Sequence, residues 1–194
     1  LVRHIIVAIT GASGVIYGKR LLQALKEDAN VITHLVISEC ALSVIRLELG
    51  KATVLQALAD FVCGIKDWSA SIASGSSPAD SMVIVPCSMK TLSGIAHGYS
   101  ENVILRAADV TIKEKRKLIL VVRETPLSSI HLRNMLELSN LGVIILPAMP
   151  GFYTKPESLS DLVNHIVGKI LDLLGINNSL FRRWNYDQKS NCLD

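Results

Sequence analysis

No uninterrupted apolar run in the sequence approaches the ~20 residues that a membrane-spanning helix needs. The mean hydropathy is nevertheless positive. The apolar residues fall instead into short runs, 5–9, 82–85, 118–122 and 143–146, each bounded by polar residues, glycine or proline. Cysteine is scarce. Cys40, Cys63, Cys87 and Cys192 form no C-x-x-C pair, and no histidine stands at zinc-finger spacing. Zinc signatures are therefore absent, and the thiols are expected to be reduced and structural. Charge of one sign is lacking too. Twenty basic and 17 acidic residues leave +3, too little to argue for nucleic acid. The densest basic run, 113–117, is broken by Glu114 and reads as a solvated helix end. No Ser-His-Asp or H-E-x-x-H arrangement is evident, and His131, among apolar residues, reads as structural. No secretory h-region or cleavage site is visible, which makes the cytoplasm the expected compartment.

What remains is an apolar chain of 194 residues with a regular alternation. Strands are expected at 3–9, 31–37, 82–86, 117–122 and 142–146. Helices are expected at 14–27, 39–48, 53–60, 88–96, 101–114, 129–140 and 158–174. Strands that read as continuous apolar runs are buried on both faces, as in parallel sheets. Strands alternating with helices imply right-handed crossovers. The expected fold is α/β: a doubly wound parallel sheet in one domain, residues 1–184, followed by a polar tail at 185–194. The apolar surplus suggests burial against sister subunits, hence a homo-oligomer.

In such sheets ligands bind beyond the carboxyl ends of the strands. The residues just after each strand are therefore the informative ones. Thr10-Gly11-Ala12-Ser13-Gly14 opens a helix; it is either a phosphate or flavin cradle with free N–H groups, or only a tight turn. It is neither G-x-G-x-x-G nor a lysine-bearing P-loop. Ser38 and Ser88-Met89-Lys90-Thr91 offer hydroxyls, a cation and helix N-termini, or else plain N-caps. Glu39 reads alternatively as a ribose contact, as in nicotinamide-binding folds. Arg106, Asp109 and Lys113 share a helix face and read equally as an ion-pair ladder. Arg123 and Glu124 directly follow an all-apolar strand, where a carboxylate can exchange a proton with a ligand. Aromatics make up only 5% of the chain, yet Tyr17, Trp68, Phe152, Tyr153 and Trp184 lie beside these motifs. Tyr17 and Phe152 read as ordinary core or interface residues.

Together these segments resemble the UbiX family of flavin prenyltransferases. The matching stretches are T-G-A-S-G at 10–14, A-S-G-S-S at 73–77, P-C-S-M-K-T-L-S-G-I at 86–95, R-A-A-D-V at 106–110, K-E-K-R-K at 113–117 and R-E-T-P-L at 123–127. I-H-L-R-N-M-L at 130–136, P-G-F-Y at 150–153 and R-W at 183–184 complete the set. They run in order over nearly the whole chain. The resemblance implies a Rossmann/flavodoxin-like fold. It also implies an enzyme that joins the dimethylallyl group of dimethylallyl monophosphate to N5 and C6 of reduced FMN, without a metal. The product would serve UbiD-type decarboxylases in ubiquinone synthesis or aromatic acid decarboxylation, and the assembly would be a dodecamer.

By the same resemblance, Gly11, Ala12, Ser13, Ser38, Ser88, Met89, Lys90, Thr91 and Arg123 match the FMN contacts. Tyr153 and Lys169 match holders of the prenyl phosphate. Arg106, Lys113 and Glu48 match charged residues of the same site, some from neighbouring subunits. Glu124 matches the acid/base residue, assisted by Ser13. Trp184, and Trp68 less closely, match aromatics near the allyl cation. Lys169 stands where the family usually has arginine, keeping the charge but losing the bidentate fork. The rivals are a flavin-dependent decarboxylase of cysteine-bearing peptides or pantothenate derivatives, direct UbiD-like decarboxylation, set aside because the sequence offers no metal site for prenylated flavin, a non-catalytic FMN module and a nicotinamide-binding domain. The first would need an asparagine that Pro147-Ala148-Met149-Pro150-Gly151-Phe152 lacks.

Overall fold

Strand β1 (Arg3–Ile9) is the axis of the sheet, and its sequence says why. Residues Ile5, Ile6, Val7, Ala8 and Ile9 are all buried, so the strand is covered on both faces and paired on both edges. The computed structural model describes residues 2–184. β1 pairs in parallel with β2 (Val31–Ile37) and with β4 (Ala79–Cys87). Outward lie β3 (Phe61–Cys63) beside β2, then β5 (Lys117–Val122) and β6 (Ile144–Ile145) beyond β4. The order β3-β2-β1-β4-β5-β6 is the Rossmann order. It reverses between β1 and β4. Right-handed crossovers in opposite directions from that point put helices on both faces.

The helices are α1 (Val15–Lys26), α2 (Glu39–Glu48), α3 (Thr53–Gln56), α4 (Met89–Ala96), α5 (Val103–Lys113), α6 (Ser129–Asn140) and α7 (Leu159–Leu174), with a 3-10 turn at Ser71–Ala73. α1 crosses β4 closely enough that a Cβ on Gly18 would lie 2.7 Å from the Val85 carbonyl oxygen. The core includes Met82, Ile84 and Leu120 from the strands and Leu92, Leu105 and Ala108 from α4 and α5.

Two expectations need correction. The helix expected over 53–60 ends at Gln56, and β3 follows where no strand was expected. The Asp60 carboxylate explains the change. It accepts from the Thr33 N–H at 2.7 Å and the Thr33 hydroxyl at 2.9 Å, while the Asp60 N–H donates to the Thr33 hydroxyl oxygen at 3.0 Å. That exchange pulls the chain off the helix and onto the edge of β2. His131, by contrast, is structural as expected. Its Nδ1 accepts from the Ser128 N–H at 3.2 Å and closes the capping box of α6.

The chain divides into two compact units, Leu1–Ala148 and Met149–Asp194. The first holds the sheet and α1–α6. The second holds α7, capped by Ser158 and Asp161 at its start and ended by Gly175 at φ 72°. After α7, Arg183 pairs with Asp172, and the Asn178 amide donates to the Asp172 carboxylate at 3.0 Å. The expected tail at 185–194, with Cys192, lies outside the described residues. No described helix is long and apolar enough to cross a membrane.

Candidate active site

The crevice beyond β1 and β4 is built by Thr10. Its hydroxyl donates to the Pro86 carbonyl at 2.8 Å and accepts from the Ser88 N–H at 2.8 Å. One buried side chain thereby ties the ends of the two central strands together. Gly11 follows, and a Cβ there would lie 2.7 Å from the Cys40 Cβ, so no larger residue fits against α2. Gly14 has φ 102°, a conformation that favours glycine.

Two adjoining cavities open at this point. The larger, about 630 Å3, is lined by Gly11, Ser38, Met89, Lys90 and Thr91, among others. The smaller, about 390 Å3, is lined by Ala12, Ser13, Leu47, Glu48 and Arg123. Gly11, Ser88 and Glu124 line both. The loops after β1, β2, β4 and β5 thus converge on one place, and the half-buried Glu124 stands where the cavities meet.

Several hydroxyls serve two purposes. Ser38 caps α2, accepting from the Ala41 N–H at 3.2 Å. Ser88 caps α4, accepting from the Thr91 N–H at 3.4 Å, and its hydroxyl lies 3.1 Å from that of Thr91. The backbone of this loop is thereby held with polar atoms at the cavity wall. Arg123 donates from Nε to the Ser13 carbonyl at 3.4 Å, joining the β5 loop to the β1 loop. Lys90 is exposed and faces Glu101 at 4.0 Å.

Two of the N–H groups expected to be free at the start of α1 are taken. The Glu48 carboxylate accepts from Gly14 at 3.0 Å and Val15 at 2.8 Å. A carboxylate is the favoured partner at a helix N-terminus, and α2 delivers one there. Glu39, the acid that suggested a ribose contact, is paired with Lys66 at 3.1 Å.

Arg106 and Lys113 line neither cavity. The Arg106 guanidinium pairs with Asp109 at 2.8 Å and donates to the Ala73 carbonyl at 3.2 Å, and Lys113 pairs with Glu114. Both stand by the 73–77 segment. Trp68 is exposed. Cys87 is buried and its thiol is pushed up by burial, as suits a structural residue. Cys40, expected to be structural too, is exposed at the wall of the larger cavity. That cavity has further walls no motif pointed to, chiefly Ile65, Lys66, His97, Tyr99 and Asn102. Ile65 and Lys66 follow β3, a strand the sequence does not announce, and His97, Tyr99 and Asn102 lie in the connection between α4 and α5, away from any strand end.

Tyr153, Lys169 and Trp184 fall in the second unit. The Tyr153 ring meets Trp184 edge to face, with centroids 5.3 Å apart. His165, which no motif singled out, lies buried one helical turn before Lys169. Its Nδ1 accepts from the Gly151 N–H at 3.1 Å, and its Nε2 is 3.5 Å from the Tyr153 hydroxyl. Burial, and then the Lys169 charge, hold its pKa below the ordinary imidazole value. Among the described residues no three His, Cys, Asp or Glu side chains converge as a metal site would require.

A family profile described as Flavoprotein matches residues 2–171. A flavin prenyltransferase UbiX from Methanothermobacter thermautotrophicus is 57% identical over 185 residues, 95% of this chain and 96% of that protein. The crystal structure of a dodecameric FMN-dependent UbiX-like decarboxylase from Escherichia coli O157:H7 superposes with a TM-score of 0.92 at 51% identity, covering 94% of this chain and 99% of that one. That of AnUbiX in complex with FMN and dimethylallyl pyrophosphate superposes with a TM-score of 0.93 at 48% identity, covering 95% and 98%.

Proposed function

The chain belongs to the flavoprotein family and, within it, to the UbiX flavin prenyltransferases; from that premise we propose how its own residues carry out the transfer. The observation that carries the reading is Glu124 at the junction of two cavities built by the loops after β1, β2, β4 and β5. The larger cavity has the size of a cofactor site and a wall of hydroxyls and backbone N–H groups suited to a flavin. Gly11, Ser38, Ser88, Met89, Lys90 and Thr91 hold FMN there, and Ala12, Ser13 and Arg123 reach it from the adjoining cavity.

Reduced FMN, when bound, supplies N5 and C6 as the positions to which the five-carbon unit is joined. Breaking the donor C–O bond sends its electron pair to the phosphate oxygen and leaves an allyl cation. The phosphate needs fixed cations and donors, and Tyr153 and Lys169 supply them. The cation needs a dry, electron-rich face, and Trp184 supplies it. Two bonds form, so N5 and C6 would each release a proton, the alkene left after the first bond would take one up to become the second electrophile, and the net proton would leave with the phosphate. Glu124 moves these protons, with Ser13 assisting. Glu48 holds the Ser13-bearing loop by capping α1. Arg106 and Lys113 act on the site of an adjacent subunit. That fits a dodecamer like the E. coli relative's, and it gives a use to the exposed Leu47, Ile130, Leu132 and Leu136. The product passes to a UbiD-type decarboxylase, in the cytoplasm.

The test is anaerobic incubation of the protein with reduced FMN and dimethylallyl monophosphate, and separately the diphosphate, followed by mass spectrometry of the extracted flavin. A gain of one five-carbon unit is expected. Bound but unmodified FMN with both donors would overturn the reading.

A further inference from the structure

We infer that His165 is a positioning residue that sets which way the Tyr153 hydroxyl points its proton. The inference rests on the reading that Tyr153 binds the donor phosphate. Three observations meet at this imidazole. The Gly151 N–H donates to Nδ1 at 3.1 Å, so in the neutral ring the proton sits on Nε2. Nε2 faces the Tyr153 hydroxyl at 3.5 Å. The ring is clamped in that orientation, edge to face against Tyr153 at 5.8 Å and Phe181 at 4.9 Å. Its N–H therefore meets a lone pair of the Tyr153 oxygen. The phenol proton is left for an acceptor elsewhere, which is what an incoming phosphate oxygen requires.

The same geometry makes the arrangement sensitive to protonation. A proton on Nδ1 would set donor against donor across the Gly151 contact. Gly151 has little room to yield, since even a Cβ there would meet Tyr153 Cε1 at 3.0 Å and His165 Cε1 at 3.4 Å. The titratable and charged groups around the ring are Tyr153 from the preceding loop and Lys169 from the next turn of α7. Arg183, on the segment that carries Phe181, is tied to Asp172. Burial first, and then the Lys169 charge, disfavour a proton on the imidazole and so favour the form the hydroxyl needs.

The experiment combines kinetics with spectroscopy. His165→Phe is expected to raise KM for dimethylallyl monophosphate about tenfold with kcat changed less than about threefold. His165→Gln, which keeps a donor toward Tyr153, is expected to recover most of that loss. Tyr153→Phe should raise KM as well, and adding His165→Phe to it should change little further, because one residue acts through the other. FMN binding, followed by flavin fluorescence, should persist in every variant. Between pH 7.5 and 5.5 the KM of the wild type should rise more steeply than that of His165→Gln, the difference separating the imidazole from the donor's own titration. Nitrogen-15 NMR of the unsubstituted protein should give the Nε2–H tautomer at neutral pH. A normal KM in Tyr153→Phe would sink the reading of Tyr153, and this inference with it. A raised KM in Tyr153→Phe beside independent, multiplicative effects of His165→Phe, or an Nδ1–H tautomer, would overturn the inference alone.

Discussion

Glu48, the last residue of α2, caps the first turn of α1 through Gly14: both carboxylate oxygens accept from the Gly14 N–H, at 3.0 and 3.1 Å, and one also from Val15. The loop at 10–14 is thus fixed by protein before any ligand arrives. Glu48→Ala leaves two helix N–H groups to water and removes a charge from the dipole's positive end. The expected cost is about 1 kcal/mol of stability, read as a lower urea midpoint at unchanged slope. FMN affinity should fall with it, since the loop bearing Ala12 and Ser13 loses its brace.

Glu124 should separate binding from chemistry. Glu124→Gln keeps the volume and a hydrogen-bonding head but cannot take a proton. Its rate of prenylated-flavin formation is expected to fall about 100- to 10,000-fold, the usual range for a lost general base. FMN affinity should change less than about threefold. An equal loss of both would make Glu124 a binding residue and move the proton transfer elsewhere.

Much of this was legible because the sheet is buried. An all-apolar run such as 5–9 or 118–122, ended by a polar residue, declares a central strand and its end. Once strand ends are placed, topology brings Gly11, Ser38, Ser88 and Glu124 together without any knowledge of their contacts. β3 was illegible because three residues are too few for a period and Phe61 and Val62 face solvent by half. β4 extends three residues before the apolar run that announces it, because Asp80, exposed, and Ser81 interrupt that run. The outer wall of the larger cavity is joined by long-range contacts, among them the Val103 N–H donating to the Ile65 carbonyl at 3.0 Å and the Lys66–Glu39 pair. The Glu48 cap spans more than thirty residues of sequence and matches no local capping motif.

Gly18 offers a test of the packing that positions the site. In Gly18→Ala the new methyl would lie 2.7 Å from the Val85 carbonyl oxygen and 3.2 Å from Ile9 Cδ1, so α1 must lift from the sheet. Helix propensity favours alanine by about 1 kcal/mol. Overpacking against backbone costs about 1–3 kcal/mol and should win. The expected outcome is a net loss of stability despite the better helix former. A gain in thermal midpoint would mean that α1 moves freely on β4.

Acid should weaken the protein through the edge of its sheet. His34, buried on β2, stacks between His4 on β1 and Phe61 on β3, with ring centroids 5.4 and 5.1 Å away. Its Nε2 is 3.1 Å from the His4 Nδ1. Burial first, and then the neighbouring His4, lower its pKa from 6.5, and Asp60 offsets part of this. A depressed histidine pKa means that the unfolded chain binds the proton more tightly than the native one. The group's contribution is therefore fully present above pH 6.5 and is lost as pH falls from there through the folded pKa. Thermal midpoints measured from pH 7.5 to 5 should decline across that window. In His4→Gln the decline should be smaller, because one of the two causes that disfavour the proton is gone. An identical decline in both proteins would assign the acid sensitivity to other groups.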